Sequence, residues 1–233
     1  MNLILDKREF TIGIILLILF IVPLLLLTTP VFNGKSGLKT ADALFNSLAK
    51  DSSYYIPQAR DKAESMQGER VNIKVSVDKA DQNGLLAKML RDAGAEVTGN
   101  AGELSVQGDL GGIMGAATVD ADNLFKEQGE KIKNRYGTDN PRLALYLWHN
   151  FFSQAEKKYI REKMSDRALT THSIMYRALE PAYNFAGIEA APISERLGIT
   201  IFLLVFYVVY TIWFGFAFLF VFEGIGIKAT AQH

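Results

Sequence analysis

Three histidines and one acidic cluster are the residues of this chain best suited to chemistry. His149 lies in LYLWHNFF, between Trp148 and Asn150 and beside Phe151 and Phe152. An imidazole in an aromatic pocket can carry a proton near neutral pH or bind a metal. It can also be a hydrogen-bonded residue on a packed helix, and that is the reading adopted. His172, in TTHSIMYR, follows twenty-three residues later. The two could meet across an antiparallel helix pair, but two histidines without a clustered carboxylate make a weak metal site. His149 and His172 are kept as one low-ranked polar site, and His233, the last residue, is given no role. Asp120-Ala121-Asp122-Asn123 has the look of a calcium-loop opening. The glycine and distal glutamate such a loop requires are missing, so the segment reads as a solvated helix face. Gly111, Gly112 and Gly115 open a helix whose N-terminus could hold an anion. With no Lys or Arg beside them they read as close backbone packing.

Other chemistry is excluded by composition and pattern. There are no cysteines, hence no disulfides, thiolate metal sites, cysteine nucleophiles or CxxCH haem attachment. No GxSxG, Walker A, GxGxxG or HExxH pattern occurs. Lys and Arg number 25 and so do Asp and Glu, a balance that argues against a nucleic-acid partner. No catalytic, cofactor-binding or metal-binding residue is therefore assigned, no cofactor is expected, and the chain is read as non-enzymatic.

The elements that must position these residues begin with two apolar runs. Residues 11–29, TIGIILLILFIVPLLLLTT, are uncharged and at about 1.5 Å per residue are long enough to span a hydrocarbon core. Pro23 removes a backbone donor and frees the carbonyl of Leu19, which predicts a kink. The run is too long for a signal-peptide core and no A-x-A site follows, so it reads as an uncleaved anchor. Residues 197–222 form a second uncharged run, and ten of the 21 residues from Phe202 to Phe222 are aromatic. Neither run contains Asp, Glu, Lys, Arg or His, so the chain by itself carries no ion path or proton relay and offers no histidine to a membrane-embedded haem. Three basic residues lie near each side of the membrane: Lys7, Arg8 and Lys228 against Lys35, Lys39 and Arg196. The closeness of Lys7 and Arg8 to the first run favours both termini in the cytoplasm, with the intervening domain in the periplasm or outside the cell.

Between the runs the periodicity changes twice. Residues 30–38 read as a linker, Thr40 caps a short helix carrying Leu44, Phe45 and Leu48, and a second helix spans about 57–66 with Pro57 in its first turn. Residues 70–78, RVNIKVSVD, alternate apolar and polar as a half-buried strand does. A helix over 81–93 ends at Gly94, a hairpin turns at 99–102, and one helix runs from near Asp109 through Ile132 to Gly137. Asn140-Pro141 starts a helix to about Met164, and a last helical stretch covers about 167–185 with Pro181 inside it.

The predicted architecture is thus two terminal transmembrane helices around an α+β domain. A cytoplasmic tail spans 1–10 and the first membrane helix 11–29. The linker and short helices occupy 30–69, and a small-sheet subdomain, ferredoxin-like in its element order, 70–138. A helical subdomain covers 139–196, the second membrane helix 197–222 and a second cytoplasmic tail 223–233. The layout resembles that of the polysaccharide co-polymerases that set glycan chain length. Those carry a proline-rich segment at the second membrane helix, where this chain has Pro192 alone. The resemblance implies a homo-oligomeric scaffold. The residues themselves point first to a non-catalytic accessory or scaffold subunit whose partners are other integral membrane subunits and the lipid bilayer. An extracytoplasmic ligand-sensing module stands third, because the 11 residues after Phe222 hold no signalling domain. Candidate partner contacts are Trp148, Phe152 and Tyr183 on the helices at 141–185, and Tyr207, Tyr210 and Phe214 on one face of the second membrane helix.

Overall fold

The computed structural model describes residues 4–30, 34–77, 79–100 and 102–227. Lys228, His233, residues 31–33 of the linker, Asp78 and Ala101 lie outside the described residues. The chain is mostly helical. In order it forms α1 (Lys7–Thr28), α2 (Gly37–Ser52), α3 (Ile56–Glu64), β1 (Arg70–Ser76), α4 (Ala80–Asp92), β2 (Glu96–Asn100) and β3 (Glu103–Asp109). There follow α5 (Leu110–Phe125), α6 (Gly129–Tyr136), α7 (Pro141–Arg161), α8 (Ser165–Ile174), a π-helical turn (Met175–Leu179), α9 (Glu180–Asn184) and α10 (Ile193–Gly224). Contacts divide the chain into two compact units, one of residues 1–48 with 191–233, the other of residues 49–190.

In the first unit α1 and α10 pack together. Both are long and apolar enough to cross a membrane. Asp6 caps α1 by accepting from the amides of Arg8 and Glu9 at 2.9 and 3.2 Å, so the helix starts four residues before the apolar run. Glycine lets the two backbones approach. A Cβ on Gly13 would lie 2.6 Å from the Val221 amide nitrogen, and one on Gly224 would lie 2.6 Å from the Phe10 Cα. Pro23 sits inside α1 as expected.

The second unit holds a three-stranded sheet of order β1-β3-β2, antiparallel at both pairings. Val71, Ile73 and Val75 are buried while Asn72, Lys74 and Ser76 are exposed, the alternation expected from the sequence. A full ferredoxin-like unit runs βαββαβ. Here β1-α4-β2-β3-α5 is followed only by helices among the described residues, so β1 has β3 on one side and no strand on the other.

The predicted punctuation recurs with one exception and one shift. Gly94 and Gly137 adopt left-handed φ values of 85° and 70° and end their helices. Asp109 caps α5, accepting from the Gly112 amide at 2.6 Å, and Asn140 caps α7 ahead of Pro141. The single helix expected over 109–137 is two helices, broken where Glu127 takes φ 58°. The first short helix begins at Gly37, before Thr40, with the Ser36 hydroxyl accepting from the Lys39 amide at 3.3 Å. The stretch at 167–185 is continuous helix, but it widens to the π form just ahead of Pro181, which has no amide hydrogen to close an ordinary turn.

Candidate functional site

Helix α7 and the α8–α9 stretch run antiparallel, which sets the position of both histidines. The His149 Nε2 lies 3.1 Å from the Glu180 Oε1, and the His172 Nδ1 lies 2.8 Å from the Glu156 Oε1. The histidine pair entertained as a polar site is therefore not brought together. Each imidazole instead engages a glutamate of the opposite helix, 149 with 180 and 172 with 156. His172 also stacks on Tyr176 at 4.2 Å. Among the described residues no group of three or more His, Cys, Asp or Glu side chains could hold a metal.

His149 and Glu180 line an open groove of about 310 Å³ with Leu145, Tyr146, Leu179 and Tyr183. The π-helical turn delivers Leu179 to it, and Glu180 opens α9 immediately after. Arg142 lies over the Tyr183 ring at 5.8 Å and donates to the Ala186 carbonyl at 2.5 Å, fixing the outer wall. A carboxylate beside an imidazole orients the ring. The groove can thus offer a hydrogen bond and an apolar wall to a visiting group. Tyr183 is exposed, as expected of a contact residue.

Trp148 and Phe152 are not exposed, which corrects the expectation for both. Each is fully buried, and with Phe151 they form an aromatic cluster with centroids 5.1 to 6.5 Å apart. The cause is the number of elements around α7, which packs against β1, α4, α5, α6, α8, α9 and the π turn. Its buried residues share one face, and Trp148 and Phe152 lie on it.

The acidic cluster also departs from expectation. Asp120 is 1% exposed and accepts from the Tyr136 hydroxyl at 2.6 Å and the Trp148 Nε1 at 2.8 Å, with Arg135 at 3.6 Å. Burial holds its carboxyl above the usual range, against the pull of its donors. Burial and the neighbouring Asp120 charge push the Tyr136 hydroxyl up as well, so it stays a donor. Asp122 accepts from the Tyr54 hydroxyl at 2.7 Å and Lys126 at 2.8 Å. Both aspartates are structural clips.

A third polar cluster gave no signal in the sequence. Lys50 is buried and donates to the Glu127 Oε1 at 2.6 Å and the Ile188 carbonyl at 2.5 Å. Glu127 also accepts from the Gly187 amide at 2.9 Å. These residues are 60 to 138 positions apart, and helix periodicity has no means of pairing them. Lys50 itself falls on the side of α2 opposite Leu44, Phe45 and Leu48, where periodicity predicts solvent.

On α10 the three expected contact residues separate. The Tyr210 hydroxyl donates to the Phe20 carbonyl at 2.5 Å, and Tyr210 and Phe214 pack on the Phe20 ring at 4.1 and 5.0 Å. Both therefore serve the α1–α10 pair, while Phe214 stays 43% exposed. Tyr207 remains 68% exposed. The Thr211 hydroxyl donates to the Tyr207 carbonyl of its own helix at 2.8 Å and has no proton to offer a neighbour. Compared with known proteins, the chain matches no family model, no curated protein and no solved structure.

Proposed function

We propose that this chain is a two-pass membrane protein acting as an accessory or scaffold subunit of a larger membrane complex, with its central domain outside the cytoplasm and both ends inside. The observation that carries the reading is an aromatic ridge on α10. Phe202, Phe206, Tyr210, Phe214, Phe218 and Phe222 recur every four residues, the spacing of a helix-packing ridge. Successive rings touch, at 6.3 and 5.2 Å in the first half and 4.6 and 6.0 Å in the second, and Phe20 of α1 bridges the middle. Among the described residues, Tyr210 and Phe214 are the members that pack on a ring of α1. Phe202, Phe214, Phe218 and Phe222 remain exposed.

Leucine would anchor the helix in lipid as well as these rings do. A ridge longer than its in-chain partner suits a second membrane protein with grooves to receive it. The bilayer itself is supported by the bare apolar surfaces of α1 and α10, which are unfavourable in water. The orientation is supported by Lys7 and Arg8 just before the first span.

The test is extraction from the native membrane in a mild detergent, followed by mass spectrometry of co-purifying chains. Wild type is expected to bring other membrane subunits in fixed ratio. Phe202→Leu/Phe218→Leu/Phe222→Leu is expected to insert normally and lose them. A wild type that runs as a lone monomer, or a triple variant that keeps its partners, refutes the proposal. A ring of this chain alone would replace it by the homo-oligomeric scaffold.

A further inference from the structure

Strand β1 has an open edge, and its hydrogen-bonding groups have been only partly covered. In an antiparallel ladder the backbone groups of alternate residues point to opposite sides. Gln154 of α7 identifies the outward set: its side-chain carbonyl accepts from the Ser76 amide at 3.0 Å, and its NH2 donates to the Ser76 carbonyl at 2.8 Å. That pair of bonds is what a neighbouring strand would supply, so Gln154 stands in for one peptide of a missing strand. At the other end the Arg167 guanidinium donates to the Arg70 carbonyl at 3.2 Å. Residues 70 and 76 share one parity with 72 and 74. The backbone groups of Asn72 and Lys74 therefore face the same open side, and no partner from another element reaches them among the described residues.

The space beside them is an open groove of about 530 Å³. Its far wall is one face of α7, where Gln154, Lys157, Lys158 and Arg161 fall at positions i, i+3, i+4 and i+7. Lys158 is held by Glu162 at 2.6 Å, and across the sheet Lys74 is held by Glu103 at 3.1 Å. Lys157 and Arg161 are exposed and form no ion pair among the described residues. The groove thus combines two features: a short run of unpaired strand backbone and two unneutralised cations facing it.

We infer that this groove binds an extended acidic segment of another protein, added as a short strand to β1 with its carboxylates toward Lys157 and Arg161. The backbone bonds of Asn72 and Lys74 provide affinity, as in other cases of strand addition, and the cations select an acidic sequence. The inference concerns the domain of residues 49–190 and stands whether or not the α10 ridge docks a membrane partner. The competing explanation is that the lysines guard the edge against any pairing, a known use of charge on exposed strands.

Three peptides distinguish the two, measured against the full chain in neutral-lipid nanodiscs. The first alternates valine and aspartate. The second has lysine for aspartate. The third is the first with alternate backbone nitrogens methylated, which keeps charge and removes strand pairing. The acidic peptide is expected to bind and to slow hydrogen exchange at the Asn72 and Lys74 amides. The basic and the methylated peptides are expected to bind at least about tenfold more weakly. Lys157→Glu/Arg161→Glu, both exposed and so tolerated by the fold, is expected to cost the acidic peptide about tenfold. Equal binding of the methylated peptide would reduce the groove to a charged patch, and no binding of the acidic peptide would make it a guarded edge. Either result overturns the inference.

Discussion

Replacing Lys50 by Met tests how the ends of the unit of residues 49–190 are held. Lys50 stands at its start, in the last turn of α2, and Ile188 near its end. The ammonium group joins them directly and through Glu127, which binds the Gly187 amide as well. Glu127 takes a left-handed φ of 58°, a conformation that costs a non-glycine residue about 1 kcal/mol. The carboxylate contacts offset that cost. Methionine keeps the length and apolar stem of lysine and removes only the charge and the donors. The Ile188 carbonyl is then left without its donor, at about 1–3 kcal/mol. The ion pair contributes less, about 0.5–1 kcal/mol, because the Glu127 side chain is 46% exposed and water screens it. The contact of Lys50 with the Phe125 ring, at 5.1 Å, adds about 0.5 kcal/mol. Relief from burying an ammonium group works in the opposite direction. The net expectation is a loss of about 2 kcal/mol.

For a unit of this size that corresponds to about 6–8 °C in melting temperature. The chain has two tryptophans, and Trp148 is buried in the core of this unit. In a Trp213→Phe background its fluorescence reports the unfolding of the unit alone, with the apolar helices held in nanodiscs. Glu127→Gln, which keeps the shape and weakens the pair, should lose less than Lys50→Met, and the double variant should lose less than the sum. A Lys50→Met melting point within about 2 °C of its parent would refute the reasoning. The buried ammonium would then be as costly as its bonds are favourable.

Two further predictions follow from side chains that the structure places in tight or dry surroundings. Asp120 titrates above its ordinary value in the fold, so its ionisation opposes folding; its contribution to stability is fully present below pH 3.8 and is lost as pH rises through the raised value. Asp120→Asn should flatten that limb of the stability–pH curve, measured by Trp148 fluorescence melts from acid to neutral pH, and an unchanged slope would assign the limb to other groups. Gly13→Val places a branched side chain where Val221 and Ala217 already sit, and should separate α1 from α10. Cysteines introduced for cross-linking at facing positions of the two helices should then lose most of their yield, while the Trp148 melt stays where it was.

The parts of this fold that were legible in the sequence are those fixed by local chemistry. Asp109, Asn140-Pro141, Gly94 and Gly137 each satisfy or end a helix within a few residues of themselves, and each does so in the structure. The alternation in β1 works for the same reason: one face of a strand is dry and the other wet. Long-range closure was not legible. Near Glu127 the local sign of a helix break is Gly129, and the residues that hold the Glu127 carboxylate, Lys50 and Gly187, are far along the chain. Asp120 looked solvated because its neighbours Asp122 and Asn123 are polar, yet its donors come from α6 and α7. Trp148 and Phe152 were misplaced although they share one helical face with Leu145, Phe151, Ala155 and Tyr159, a stripe whose spacing marks it as core. Of the candidate contact residues Tyr183, Tyr207 and Phe214 keep the exposure such a role needs.

Helix α7 therefore has to be read in stripes. Trp148, Phe152, Ala155 and Tyr159 belong to the core. His149 and Glu156 pair with the antiparallel stretch that follows, and Gln154, Lys157 and Arg161 face the open edge of β1. The first stripe fixes the helix, so the other two are held at defined positions without needing to stabilise the fold. Substitutions separate the two roles. A change at Trp148 removes an aromatic packing partner and the indole donor of Asp120 together, and stability falls before any surface property can be measured. A change at Lys157 or Arg161 touches solvent and one groove, so an altered interaction there, in a domain that melts at the parent temperature, is attributable to the groove itself.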